Sequence, residues 1–346
     1  MCAGDGMKVR QAIVMVGGMG TRLRPLTENK PKPMLSVADR PCIWYLMRSL
    51  ARAGIEEVIL ACGFKPGMME SLGDGSDLGM RIVYCYEDEP LGTAGAIKNV
   101  ESRLDDVFVA ANGDIFADID VRKEVEEHLS KDAAITISLT PVENPCEFGI
   151  ARVDDEGRIL EFKEKPKPEE VFSNLINAGV YILDKSVLDD VPAGSFYDLS
   201  KNLVNVIMGQ GKRIQSYRLD GMWMDVGRPH DLLEANLVIA QREYRKEDFD
   251  SAVDCHIEDE FYLGPGASMR NCRAVKTVVS EGSEVTDSEL NRVLMLKGCK
   301  VEGAKITNSI LGDGCRVCKG AVITNAVLAD NTVVSEGEVI DGDRKV

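Results

Sequence analysis

One short stretch of this chain concentrates groups suited to holding a polyanion: Gly17-Gly18-Met19-Gly20-Thr21-Arg22-Leu23-Arg24-Pro25-Leu26-Thr27, then Lys30-Pro31-Lys32-Pro33-Met34. The chain carries a formal net charge of −16, so Arg22, Arg24, Lys30 and Lys32 form a positive island on an acidic protein. The run Val9 to Val16 ahead of it is apolar and β-branched, and reads as a buried strand. Glycines at 17, 18 and 20 let backbone N–H groups approach a ligand with no Cβ in the way, and successive N–H groups form a concavity that accepts an anion. Arginine adds a planar fork matched to phosphate oxygens, and lysine a point charge. Two familiar phosphate loops are excluded. A P-loop has Gly-Lys-Ser/Thr after its last glycine, where this chain has Thr21-Arg22. A dinucleotide fingerprint has glycine or alanine where it has Leu23.

A second set of groups is acidic. Asp114 lies in Asn112-Gly113-Asp114 and Asp225 in Trp223-Met224-Asp225-Val226-Gly227, each reading as a strand end followed by a turn. Carboxylates are the hard donors that Mg²⁺ prefers, one or two of them completed by phosphates. The two lie far apart in sequence, so only the fold can bring them together. Asp118 and Asp120 read as helix-start residues.

From residue 8 to about 240, short β-branched runs alternate with helical segments. Strands are expected at 57–61, 81–86, 107–111 and 134–140, and helices at 42–53, 94–103 and 121–130. The alternation implies an α/β sheet with helices on both faces. Ligands of such sheets sit beyond the carboxyl ends of the strands. Residues 17–21 and 112–114 both follow strands, so the phosphate cradle and Asp114 are expected on one rim. Residues 236–249 read as a polar helix leading into a linker over 241–255.

After it the pattern changes. Apolar residues recur every five or six positions: Val279, Val285, Leu290, Leu296, Val301, Ile306, Leu311, Val317, Ile323, Leu328, Val334 and Ile340, with glycines in the gaps. Neither a helix nor an alternating strand has that period. A hexapeptide β-helix does, with three short strands per coil, and twelve positions make about four coils over 256–346. Hexapeptide acyltransferases use a histidine base in such coils. None of the three histidines, His128, His230 and His256, is read as lying within the repeat; His128 is read on a helix surface and His230 at a helix start. The repeat therefore reads as a structural or oligomerising part.

The length of 346 residues suits two domains. The acidic balance argues against nucleic acid or an anionic membrane as partner. No apolar run reaches the ~18 residues that span a bilayer. The beginning lacks signal-peptide character, and Met7 reads as an alternative start. Ten scattered cysteines in a chain of this size read as free thiols in a reducing cytoplasm. Cys315-x-x-Cys318 lacks the second pair or the histidine that a zinc site needs.

The opening signature does not stand alone. Glu89-Pro90-Leu91-Gly92-Thr93-Ala94-Gly95, Asn112-Gly113-Asp114, Phe148-Gly149, Glu164-Lys165-Pro166, Asn177-Ala178-Gly179 and Trp223-Met224-Asp225-Val226-Gly227 follow it in order. Together they resemble the motif set of the sugar-phosphate nucleotidylyltransferases, the NDP-sugar pyrophosphorylases, over the first two-thirds of the chain. The resemblance implies a Rossmann-like nucleotidyltransferase domain with a mixed sheet, over 8–240, followed by a left-handed parallel β-helix, which several subfamilies carry. It implies attack of a sugar 1-phosphate oxygen on the α-phosphorus of an NTP, releasing pyrophosphate, with Mg²⁺ on Asp114 and Asp225. Arg22 and Lys32 would hold the triphosphate. Lys165 would bind the sugar phosphate and Glu164 the sugar hydroxyls, with Gly149 and Asn177 completing that pocket. The nucleotide would lie against Met15, Gly17, Gly18, Gly20, Thr21, Glu89, Gly92 and Thr93. The motifs are most similar to the mannose-1-phosphate guanylyltransferase branch. Glucose 1-phosphate with dTTP or UTP is the alternative. A non-catalytic NDP-sugar-binding relative would be expected to lose one of Arg22, Lys32, Asp114, Lys165 or Asp225, and all five are present. Stacked coils further imply a homo-oligomer.

Overall fold

The computed structural model describes residues 9–18, 20–63, 67, 69–244, 250–342 and 344–345. Met7, Met19 and the residues 245–249 that end the expected polar helix lie outside them. Contacts divide the chain into two units. One is the chain up to Gly18 with Ile43–Trp223; the other is the segment between them and everything after Trp223. The glycine-rich signature is therefore shared: Gly17 and Gly18 belong to the first unit, Arg22 and Lys32 to the second.

The first unit is built on a nine-stranded mixed sheet. Its main path runs Ile159–Glu164, Gly149–Val153, Leu175–Asp184, Val107–Asn112, Gln11–Met15, Glu57–Cys62, Arg81–Tyr86. Gln11–Met15 is buried throughout, as its apolar run requires, and pairs parallel to both neighbours. The antiparallel strand Leu175–Asp184 then reverses the sense. The expected strands appear within a residue or two of the sequence reading. Helix α1 (Cys42–Arg52) begins as expected. The second expected helix is divided into α2 (Gly92–Asn99) and a separate 3₁₀ turn, Glu101–Arg103.

Helix α3 (Val121–Lys131) corrects two readings. Asp120 caps it, accepting from the Arg122 N–H at 3.1 Å. Asp118 does not start a helix. It lies in the strand Ile115–Ile119, 8% exposed, with its carboxylate between Arg48 Nη2 at 3.1 Å and Arg52 Nη1 at 3.0 Å. His128 is likewise not on a surface. It is 2% exposed, with Nδ1 2.9 Å from Thr136 Oγ1. Val121, Glu124 and His128 share one helical face, and that face is buried. Ser138 Oγ donates to Glu124 Oε2 at 2.6 Å. Burial pushes the Glu124 carboxyl up to about 8 and lowers His128 to about 4.

A stability prediction follows from Glu124. Its folded pKa lies above the unfolded value of 4.5. The stability held by the protonated form is therefore complete below pH 4.5 and is lost as pH rises toward about 8. Glu124→Gln is expected to flatten the decline of Tm between those two pH values and to raise Tm at pH 8.5. Calorimetry of both proteins across this range checks it, and parallel Tm curves would refute it.

In the second unit, helix α4 runs Pro229–Glu243, with Pro229 at its first position and His230 in its first turn. It begins before the expected polar helix and is not polar in its middle: Leu232, Leu233, Ala235, Asn236, Leu237, Ile239 and Ala240 are buried. The coils follow as parallel strands. Met269, Val285, Val301, Val317 and Val334 form one inward column. Ala274, Leu290, Ile306, Ile323 and Ile340 form a second. Each of the twelve positions singled out by period is buried, which is consistent with the left-handed β-helix expected. Two of the three faces merge into single bent strands, such as Glu289–Met295, which turns its corner at Arg292 with φ +56°. His256, read as outside the repeat, opens the first long strand of the coils, His256–Leu263, and is exposed.

Candidate active site

In the first unit the carboxyl ends of Gln11–Met15, Glu57–Cys62 and Val107–Asn112 open on a cavity of about 320 Å³. Met15, Gly17, Gly18, Gly92, Thr93 and Asp114 line it, as do Gly63, Glu87, Asn112 and Phe196. Asp114 sits in the turn after its strand. A Cβ built on Gly18 would lie 3.8 Å from Asp114 Oδ2. The Gly113 N–H bonds Met15 O at 2.8 Å, which ties that turn to the first strand. Gly92 has φ +70°, and a Cβ there would lie 2.8 Å from Tyr197 O. Only glycine allows that approach. Tyr197 O accepts the N–H groups of Ala94 and Gly95, both at 3.0 Å, and so fixes the first turn of α2.

Glu89 is exposed and does not line the cavity; Glu87 does. Glu87 Oε2 accepts the Leu91 N–H at 3.3 Å, and burial raises its carboxyl above the usual range. A signal for it existed in the sequence: it is the first residue past the carboxyl end of Arg81–Tyr86, where ligands of such sheets bind. Thr93 Oγ1 is already engaged, bonding Asp198 Oδ2 at 3.3 Å and the Leu199 N–H at 2.8 Å.

The residues read for the sugar come together on three neighbouring strands. Gly149 is paired opposite Glu164, and Asn177 lies on the adjoining strand, next to the Ile176–Ile150 pair. A Cβ at Gly149 would lie 2.5 Å from Phe162 Cζ and 2.6 Å from Glu164 Oε2. That oxygen is buried and meets no hydrogen-bond partner among the described residues. Burial raises the Glu164 carboxyl. A buried acceptor left open costs ~1–3 kcal/mol, a cost that a ligand hydroxyl would relieve. Asn177 Nδ2 donates to Tyr181 Oη at 2.6 Å and its Oδ1 accepts the Gly179 N–H at 2.9 Å. Lys165 is exposed, at φ +44°, with its N–H on Phe148 O at 2.9 Å. Trp223 Nε1 donates to Ala178 O at 2.8 Å, behind the same strand.

In the second unit, Gly20 takes φ +57° ahead of the turn Thr21–Leu23. A Cβ on it would lie 3.1 Å from Lys32 Cβ. Lys32 is 6% exposed, and its Nζ donates to Asp225 Oδ1 at 3.1 Å. Arg22 Nη2 lies 4.0 Å from Asp225 Oδ2, its own side chain half exposed. Thr21 and Arg24 are exposed. Lys30 departs from the phosphate reading of the basic island: its Nζ bonds Asp313 Oδ2 and lies 4.0 Å from Asp330 Oδ2.

Among the described residues no three His, Cys, Asp or Glu side chains cluster to cage a metal. Asp114 in the first unit and Asp225 in the second each offer a hard carboxylate of the kind Mg²⁺ takes together with phosphate oxygens. None of the described cysteines forms a disulfide, and no helix is long and apolar enough to cross a membrane.

Comparisons with known proteins give the family. Residues 11–242 match the family model described as nucleotidyl transferase, and residues 264–346 the GlmU-like C-terminal hexapeptide model. The chain is 36% identical to the mannose-1-phosphate guanylyltransferase of Mycobacterium tuberculosis over 84% of its own length and 81% of that protein's. It is 29% identical to the UTP–glucose-1-phosphate uridylyltransferase of Synechocystis over 89% and 80%. The structure of HddC from Yersinia pseudotuberculosis complexed with GMP-PN superposes with a TM-score of 0.56 at 26% identity, covering 66% of this chain and 98% of that one. A cavity at the strand ends lined by glycine backbone, with matches over most of the chain, leads to one assignment: the protein is a member of the nucleotidyl transferase family with a GlmU-like C-terminal hexapeptide domain.

Proposed function

We propose that the protein transfers a guanylyl group from GTP to mannose 1-phosphate, giving GDP-mannose and pyrophosphate. The observation that carries this reading is the cavity lined by Gly17, Gly18, Asp114 and Glu87. Glu87 offers a carboxylate to the paired N1–H and N2–H₂ donors of guanine. An oxygen of the sugar phosphate attacks the α-phosphorus in line, and the bond to the pyrophosphate oxygen breaks. No covalent enzyme intermediate is needed. The chain's task is to bring two polyanions together, align them and offset their charge. Lys32 and Arg22 take the triphosphate and then the departing pyrophosphate. Lys165 takes the phosphate of the sugar substrate, and Glu164 accepts from sugar hydroxyls beside Gly149 and Asn177. Asp114 and Asp225 are the carboxylates that would hold Mg²⁺, which when bound supplies further charge neutralisation at the phosphates.

On this reading residues 8–240 form the catalytic domain, 241–255 a linker and 256–346 the coils. The enzyme works in the cytoplasm as a homo-oligomer, with small molecules rather than nucleic acid or membrane as partners. The free thiols support that compartment.

Pyrophosphate release measured across four NTPs and several hexose 1-phosphates tests the assignment. GTP with mannose 1-phosphate is expected to dominate. Dominance of UTP or dTTP with glucose 1-phosphate would overturn the base and the sugar; absence of turnover with bound NDP-sugar would overturn catalysis. Lys165→Ala is expected to raise the KM for mannose 1-phosphate about 10- to 100-fold, the worth of a charge-assisted hydrogen bond, with the KM for GTP nearly unchanged. Initial rates with each substrate varied in turn check this. A collapse of GTP affinity instead would show that Lys165 belongs to the nucleotide.

A further inference from the structure

The segment that carries Lys32 is gripped at one corner of four successive coils. Glu281, Lys297, Asp313 and Asp330 stack there at intervals of 16, 16 and 17 residues. Lys297 Nζ bonds Glu281 Oε2 at 2.7 Å. The Lys297 N–H reaches Asp313 Oδ1 at 3.2 Å, and the Asp313 N–H reaches Asp330 Oδ1 at 2.9 Å. Two carboxylates on neighbouring rungs repel each other unless a cation joins them. The coils do not supply all of it: Lys30 does, two residues ahead of Lys32, at Asp313 and Asp330.

Beyond Lys32 the segment is held again. The hairpin Ser36–Val37 and Arg40–Pro41 turns at Ala38 and Asp39, both at positive φ. The Asp39 carboxylate accepts the Glu281 N–H at 3.0 and 3.1 Å, at the same corner of the coils. A Cβ on Gly264 would collide with Asp39 Oδ2, so that coil residue is a glycine where the aspartate docks. Asn236 of α4, fully buried, clamps the hairpin from another side: its Oδ1 accepts the Ala38 N–H at 2.9 Å and its Nδ2 donates to Ser36 O at 3.1 Å.

We propose that Lys30 and Asp39 are positioning residues, through which the coiled domain sets the place of the Lys32 ammonium and so takes part in nucleotidyl transfer. The proposal rests on the reading of Lys32 as a triphosphate ligand. It gives the repeat a role beyond assembly. The clamps lie on both sides of Lys32 in sequence, so release of either lets the short turn Lys32–Met34 shift. A displacement of about 1 Å at a charged group can cost about 100-fold in rate.

The test uses the full-length enzyme. Lys30→Met, Asp313→Asn and Asp39→Asn are each expected to lower kcat/KM for GTP about 10- to 100-fold, while the KM for mannose 1-phosphate changes less than twofold. The double variant Lys30→Met/Asp313→Asn should be no worse than the poorer single one. Lys30→Arg, or the exchange Lys30→Asp with Asp313→Lys, should restore most of the rate. Hydrogen exchange at residues 34–42 should quicken in Lys30→Met, with no change at 57–62. Loss of active protein in proportion to a lowered Tm, with unaltered kcat per active site, would show a structural role only and overturn the proposal. So would wild-type kcat/KM in all three single variants when Lys32→Met is inactive. If Lys32→Met itself keeps full nucleotide turnover, the reading beneath the proposal fails instead.

Discussion

Lys32→Met is expected to lower kcat/KM for GTP by about 10³-fold, roughly 4 kcal/mol of transition-state stabilisation. Methionine keeps the length of the apolar stem and removes only the charge. The ammonium is almost fully buried and touches the partly exposed carboxylate of Asp225. Taking such a charge out of water costs several kcal/mol, which the pairing repays only in part. On the proposed reading this cation, beside a second one on Arg22, serves the triphosphate. Tm is accordingly expected to hold or rise in Lys32→Met while the rate collapses. Paired calorimetry and pyrophosphate-release assays read the two quantities. A variant with lowered Tm and near-normal kcat per folded molecule would reverse the assignment.

Glu87→Gln is expected to change which nucleotide is used. Guanine presents two donors side by side, and a carboxylate accepts both. An amide accepts through one oxygen and sets its own donors against guanine's second. Sites built around a polar group of the substrate reject analogues that leave it unpaired by large factors. We expect kcat/KM for GTP to fall about 100- to 1,000-fold, with that for UTP or dTTP equal or higher. The ratio of GTP to UTP turnover in a competition assay measures this directly. On the proposed reading the carboxylate form pairs with guanine, and burial raises its pKa. The wild-type acid limb for GTP should therefore lie above that of an ordinary glutamate and disappear in Glu87→Gln. An unchanged GTP preference would remove Glu87 from the base pocket.

Periodicity alone made much of the architecture legible. Strands such as Arg81–Tyr86 are short β-branched runs with few alternatives. The twelve inward residues of the coils repeat at an interval that no other regular structure needs. The glycine-rich turn was legible as well, and Gly17 and Gly18 line the cavity at the strand ends. Local pattern misjudged charged residues near strand ends and on helices. Asp118 follows a turn signal as a capping residue would, yet two arginines from α1, distant in sequence, draw it into a buried strand. His128 sits in a polar helical stretch, and only the sheet packed on that face buries it. Glu89 and Glu87 are alike in sequence, and what separates them is where the sheet ends relative to the cavity.

The amino-acid pattern is enough to read a glycine-rich strand-to-turn segment, an α/β unit and a stack of coils. Those features follow from residue type and period, which act over a few neighbours. Which partner each charge meets depends on the fold. Lys30 and Lys32 stand two residues apart in one basic cluster, and one is bound to the coils while the other is buried against Asp225. The reason is electrostatic: a side chain's charge is spent on whichever opposite charge the fold brings within a few ångströms. That partner can lie hundreds of residues away.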